Sequence, residues 1–305
     1  MLWYENIKPT NVYPNFYTLL SANPNLHNGE ECLIFFMNGN SGFGSQLTLY
    51  TQYSLYLNKI NPNIICLPHF SINNENFKYH DVNYNNSFFL YFKYLKEIKE
   101  DIKCYFFISD YVLSEDKYPF IVPQSIDDSN VDDIEINRQH SSFFKNNFEL
   151  KIGDHIINNI NNIKNDTKIP LIGIHMRSLY QQLCHPYGRT EVNIESKLLK
   201  IKNVLDKKYM KYNIFLVTDV SDYINITKNI FNESNVFYND FISRIDNGNV
   251  DSIINLEKYT GFKLGSDILY DCLSLIHCDY YYVSITNIAF ITSYMTNNRN
   301  GMHFN

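Results

Sequence analysis

The stretch "KIPLIGIHMRS", Lys168 to Ser178, decides how the second half of the chain is read. An apolar run ends in a histidine and an arginine two positions apart. The chain favours lysine, and its arginines are Arg138, Arg177, Arg189, Arg244 and Arg299. In a strand, residues two apart share a face. Gly173, His175 and Arg177 then point one way, and Ile172, Ile174 and Met176 the other. Both polar residues stand at the carboxyl end, the edge that lines the ligand crevice in open α/β sheets. An arginine there can donate two parallel hydrogen bonds to a phosphate and neutralise its charge. The competing reading pairs the arginine with a core carboxylate and satisfies the histidine from backbone, although no acid follows Arg177 directly.

Working outward, strands and helices alternate. Leu171–Met176, Asn213–Thr218, Val236–Tyr238 and Tyr280–Val283 read as strands. Glu195–Tyr209 is helical, with Leu198, Ile201 and Leu205 on one face. Ser221 is expected to cap a helix ending at Phe231, and Ser266 with Asp267 to cap a helix placing Ile268, Cys272, Leu275 and Ile276 inward. A final helix is expected at Ile288–Met295. Such alternation implies parallel strands with right-handed crossovers. Other polar residues reach the same edge: Thr218 and Asp219, then Ser284, Thr286 and Asn287. Asp271 sits inside an otherwise apolar helix, where an acid costs stability unless it is paired, used or exposed.

The first half begins alike. "CLIFFM" (Cys32–Met37) is a strand, "NGNSGFG" (Asn38–Gly44) a glycine-rich turn, and Ser45–Lys59 a helix presenting Leu47, Tyr50, Ser54 and Leu57. Ile64–Leu67 is the next strand, and Phe88–Ile102 is expected to be helical. A strand–glycine turn–helix unit offers free N–H groups and a helix dipole to an anion. It is no P-loop, since Gly44-Ser45-Gln46 lacks the lysine, and the glycine order and the absence of an acid after Leu67 disfavour NAD. A turn needing glycine for packing alone is the other reading. The polar, turn-rich segment from Ser125 to Asp133 reads as a loop, and "NNINNIKNDTK" (Asn158–Lys168) as a break between domains 1–164 and 165–305.

Bulk properties exclude several classes. A chain of 305 residues can bury a sizeable core without disulfide or metal. The net charge of −6 and the lack of a dense basic run argue against nucleic acid. Six scattered cysteines form no metal spacing and suggest buried thiols in a reducing compartment. No signal peptide pattern and no apolar run of about 20 residues is present, so a cytoplasmic protein without membrane insertion is expected.

These segments together resemble the GT-B fucosyltransferases that use GDP-fucose, the α-1,6-fucosyltransferase and nodulation group, with protein O-fucosyltransferases as cousins. "SGFGSQLTLYTQYSLYL" (Ser41–Leu57) resembles their glycine-rich first turn, and "IGIHMR" (Ile172–Arg177) their His-x-Arg strand. "LGSDILYDCLSLIHCDYYYVSITNIAF" (Leu264–Phe290) resembles their last motif, and "FLVTD" (Phe215–Asp219) a weaker one. The resemblance implies two Rossmann-like doubly wound α/β domains facing a cleft, the first serving the acceptor and the second the donor. It implies that Arg177 holds the β-phosphate of GDP, that His175 and Asp271 contact guanosine, and that Ser284, Thr286 and Asn287 bind phosphate. Gly42, Phe43, Gly44 and Asp219 complete the expected donor set. The implied reaction is transfer of a sugar, L-fucose in the leading reading, to a glycan or protein hydroxyl. It proceeds with inversion and without metal or further cofactor, the departing charge being met by fixed donors. Ser178 stands where relatives often keep a second arginine, and the following segment lacks an acid before Glu191. His185 and Glu191 are the candidates for catalytic base by residue type. The alternatives are a non-catalytic nucleotide or carbohydrate binder on the same fold, or a GT-B enzyme using another nucleotide sugar.

Overall fold

Cys32–Met37 is buried along its whole length. An unbroken apolar run of this kind fits a strand covered on both faces of a parallel sheet. The computed structural model describes residues 2–37, 43–70, 84–108, 131–177, 193–246, 261–284, 291–292, 295 and 301–304. The chain divides into two units. The first comprises Met1–Ile152, Thr260–Ser266 and Ser293–Asn297; the second comprises Gly153–Tyr259, Asp267–Thr292 and Asn298–Asn305.

In the first unit the elements run β1 (Val12–Tyr13), α1 (Phe16–Ala22), β2 (Cys32–Met37), α2 (Phe43–Ile60), β3 (Ile64–Pro68) and α3 (Phe88–Tyr91). They continue as β4 (Phe92–Tyr94), β5 (Lys103–Ile108), α4 (Val131–Asn147) and β6 (Phe148–Leu150). Strands β1-β5-β2-β3 form a parallel sheet in that order, and β4 pairs antiparallel with β6. Leu47, Tyr50, Ser54 and Leu57 of α2 are buried as their spacing predicts, and the Tyr50 hydroxyl donates to the Cys66 carbonyl at 2.9 Å. Much of the chain's aromatic content packs here: Phe35 stacks on Phe106, Phe36 on Tyr53, and Phe88 on Phe92.

Tyr91 is fully buried, stacked on Phe262 and edge-on to Phe43. A Cβ at Gly265 would lie 2.6 Å from Tyr91 Cζ and 2.9 Å from Cε1, and closer still to the hydroxyl. Rings on both sides leave Tyr91 nowhere to go. Gly265→Ala should therefore lower the urea-unfolding free energy by about 1–3 kcal/mol; an unchanged midpoint would show that the ring yields freely.

The second unit holds α5 (Asp154–Thr167), β7 (Leu171–Met176), α6 (Ile194–Lys208), β8 (Asn213–Thr218), α7 (Ser221–Phe231) and β9 (Val236–Phe237). It ends with α8 (Gly261–His277), whose residues through Ser266 belong to the first unit, then β10 (Tyr280–Ser284) and β11 (Gly301–Phe304). The strand order is β11-β10-β7-β8-β9, all parallel. Ile172, Ile174 and Met176 share a buried core with Leu198, Ile201 and Leu205 of α6 and with Tyr223 and Phe231 of α7. Gly173 lies on the other face. A Cβ there would stand 3.0 Å from Leu275, 3.1 Å from Tyr281 and 3.2 Å from Cys278, so glycine lets α8 approach the sheet closely. Helices thus cover both faces, as the alternating pattern predicts.

Four local expectations are corrected. Asn158–Thr167 belongs to α5 and Lys168 caps it, rather than forming a break, because Ile156 and Ile160, one turn apart, bury on one face. Phe88–Ile102 is not one helix: β4 leaves it to pair with β6. Ser221 is the first helical residue and Val220 occupies the cap position. Ser266 and Asp267 lie inside α8, which starts at Gly261. The expected loop residues 125–130 fall outside the described residues, as does most of Ile288–Met295; Val131–Asp133 are helical. No disulfide joins the five described cysteines, and burial pushes the Cys32 and Cys66 thiols up to about 12. Among the described residues no helix is long and apolar enough to cross a membrane.

Candidate functional site

β7 is the first strand of its sheet in sequence and the middle one in space. The chain builds outward through β8 and β9, then returns to lay β10 against the other side of β7. Strand order therefore reverses beside β7, and the crevice at such a switch point is where open α/β sheets take ligands. The carboxyl ends of three neighbouring strands meet there. Met176 pairs in register with Thr218, and β10 runs two residues past the Tyr282–Ile174 pair to Ser284.

His175 is 3% exposed, and its Nδ1 has no hydrogen-bond partner among the described residues. Burial, then the charges of Arg177 and Lys197, push its pKa down to about 3. The ring is neutral at physiological pH, offering one donor and one acceptor. A polar atom this deeply buried is costly without a hydrogen bond, so Nδ1 is a candidate contact for a ligand. Arg177 follows directly, half-buried just past the strand. Lys197, on the first turn of α6, adds positive charge near His175 and was not singled out from sequence.

At the end of β8 the Thr218 hydroxyl accepts from the Val220 N–H at 3.2 Å, so it serves the turn into α7. Asp219 is half-buried, and its carbonyl accepts from the Ile245 N–H at 2.9 Å. Asp271 is buried on α8, not on an exposed polar face, and so is Asp267 one turn earlier. Asp267 Oδ2 accepts from the Ser243 N–H at 3.0 Å, which explains why it sits within the helix rather than capping it. Phe43 and Gly44 belong to the first unit. The Phe43 side chain is buried against Phe70 and Tyr91, so the ring itself is committed to the core of the first unit. Ser284 is the last residue of β10. Gly42, His185, Glu191, Thr286 and Asn287 lie outside the described residues.

Sequence reading missed Arg244. The isolated bridge between Val220 and Ile245 carries it to the end of β8. Its guanidinium donates to the carbonyls of Ile242 at 3.2 Å and Asn239 at 2.6 Å, and lies 5.4 Å from the Tyr238 ring centroid. Burial lowers its pKa, while Asp271 first, then Tyr238, Asp267 and Asp240, support its charged form. Its neighbourhood with two acids on α8 is the only signal, and it exists only in the folded chain.

No protein-family model and no curated protein matches the chain. Solved structures do. A NodZ alpha-1,6-fucosyltransferase soaked with GDP-fucose is 14% identical, over 86% of this chain and 91% of that chain, with a TM-score of 0.44. Fucosyltransferase NodZ from Bradyrhizobium is 15% identical, over 87% and 93%, with a TM-score of 0.42. A variant of Arabidopsis thaliana FUT1 in complex with GDP is 9% identical, over 92% and 73%, with a TM-score of 0.43.

Proposed function

We propose that the chain is a GT-B type glycosyltransferase that moves a sugar, L-fucose in the first instance, from a GDP-sugar to a glycan or protein hydroxyl. The observation that carries this reading is the placement together, at the switch-point edge of the second sheet, of Arg177 and a buried, neutral His175 whose Nδ1 lacks a partner among the described residues. Arg177 takes the β-phosphate, and its charge meets the negative charge that builds on the departing diphosphate. His175 and Asp271 take the guanosine. The reading assigns this work to side chains and N–H groups, invokes no metal, and expects inversion by direct attack of the acceptor hydroxyl. His185 and Glu191 are the proposed candidates for the base that receives the acceptor proton.

The test is a thermal-shift panel of GDP, UDP, CMP and NAD, followed by hydrolysis of the sugar nucleotide whose base binds. At a hundredfold excess over Kd, a ligand stabilises by about 2.7 kcal/mol, which is roughly 4 °C in Tm for a protein of this size. GDP should give such a shift. Stabilisation by UDP and not GDP would overturn the donor assignment, and GDP binding without any turnover of GDP-fucose would leave a binder rather than an enzyme.

A further inference from the structure

We propose that Arg244 is a positioning residue of the donor site, holding the Asp271 carboxylate so that it reads the purine edge and thereby setting a preference for guanine. This rests on the reading that Asp271 contacts the base.

The segment from Tyr238 to Ile245 is pinned at both ends of its course. It leaves β9 and returns to the carboxyl end of β8, where the Ile245 N–H donates to Asp219 O at 2.9 Å and the Ser221 N–H to Ile245 O at 2.8 Å. In between it is tied to α8. Asn239 Nδ2 donates to Ser274 Oγ at 2.9 Å, and the Ser243 N–H donates to Asp267 Oδ2 at 3.0 Å. Residues 267, 271 and 274 follow helical spacing and share a face. Asp271 therefore lies between two tied positions on the face this segment covers.

Arg244 uses both terminal nitrogens to brace the segment, on the carbonyls of Asn239 and Ile242. That fixes the guanidinium plane rather than leaving it to wander. The Asp271 carboxylate is the charge that most favours the ionised guanidinium. Asp271 is itself buried, and a buried carboxylate is tolerated where an opposite charge stands beside it. An ionised carboxylate is acceptor-only, with two oxygens. Guanine presents two adjacent donors, N1–H and the N2 amine, so a fixed carboxylate suits it. Hypoxanthine lacks the amine and loses one of the two bonds.

The experiment titrates GDP and inosine diphosphate into wild type, Arg244→Gln, Arg244→Lys and Asp271→Asn by calorimetry, with the thermal midpoint of each ligand-free protein recorded. Wild type should prefer GDP by about tenfold, one charge-assisted hydrogen bond. Arg244→Gln should bring that ratio towards one, and Arg244→Lys, which keeps the charge but not both braces, should lower it severalfold. Adding Arg244→Gln to Asp271→Asn should change the ratio no further, because the arginine acts through the aspartate. A merely structural arginine would weaken both nucleotides alike; an unchanged ratio in Arg244→Gln, or in Arg244→Lys should the first not fold, overturns the proposal. If Asp271→Asn instead keeps the wild-type ratio, the base is read elsewhere and the underlying reading fails, a result distinct from failure of the arginine variants alone.

Discussion

Arg177→Ala should leave the protein folded and remove half or more of its stabilisation by GDP. Arg177 follows the last residue of β7, so its removal disturbs neither the pairing of Met176 with Thr218 nor the core beneath Ile172 and Ile174. What it removes is the charge that a diphosphate would meet at the switch point. A hydrogen bond to a charged group contributes about 1.5–3 kcal/mol, or roughly 10–150-fold in Kd. Because charge grows on the leaving diphosphate, the loss in rate should be larger, on the order of 10²–10³ in kcat. Arg177→Lys keeps a point charge without the planar fork and should fall between the two. Thermal shift with GDP and release of fucose from GDP-fucose measure both effects. A full GDP shift in the alanine variant would remove Arg177 from the site.

Acidification should destabilise the protein well before most carboxylates titrate. Among the described residues three histidines are buried and neutral. His69 donates from Nε2 to the Ile7 carbonyl at 3.0 Å and lies edge-on to Phe35 and Phe106; burial pushes it down to about 4. Burial does the same to His140 on α4, and takes His175 to about 3. In the unfolded chain each ring titrates near 6.5. The folded values are depressed, so the unfolded state binds more protons between about pH 6.5 and pH 4. Their contribution is fully present above pH 6.5 and is lost as pH falls towards 4. Each ring costs about 1.4 kcal/mol per pH unit once well below 6.5. Three together approach 4 kcal/mol per unit, a large share of the 5–15 kcal/mol typical of a folded protein. Urea midpoints at pH 7.5, 6 and 5 should fall with increasing steepness. Equal midpoints at pH 7.5 and 5 would mean that these rings accept protons in the folded state.

Much of the second sheet was legible because its signals are short-range. The bounds of β7 and β8 follow from apolar runs ended by polar residues, and α6 from the spacing of Leu198, Ile201 and Leu205. The period-two reading put Gly173, His175 and Arg177 on one face, and Gly173 does face α8, away from the core of Ile172 and Ile174. Elsewhere composition misled. The asparagines of α5 favour turns, yet Ile156 and Ile160 bury and hold the helix, since packing outweighs propensity. Phe88–Ile102 has aromatic residues enough for either state, and β4 forms because β6 is there to pair with it.

The sequence by itself determined β7, α6, β8 and α7 of the second unit and the two residues, His175 and Arg177, that stand at the end of the first of these strands. Only the tertiary structure decided that this strand is central, with order reversing beside it, since strand order depends on pairings between distant segments. Only it decided that His175 Nδ1 would be buried without a partner among the described residues. It alone brought Arg244 to the acids of α8, joined through a contact 24 residues apart in sequence that no local pattern encodes. Side-chain period is a property of neighbours along the chain; burial and charge pairing are properties of neighbours in space.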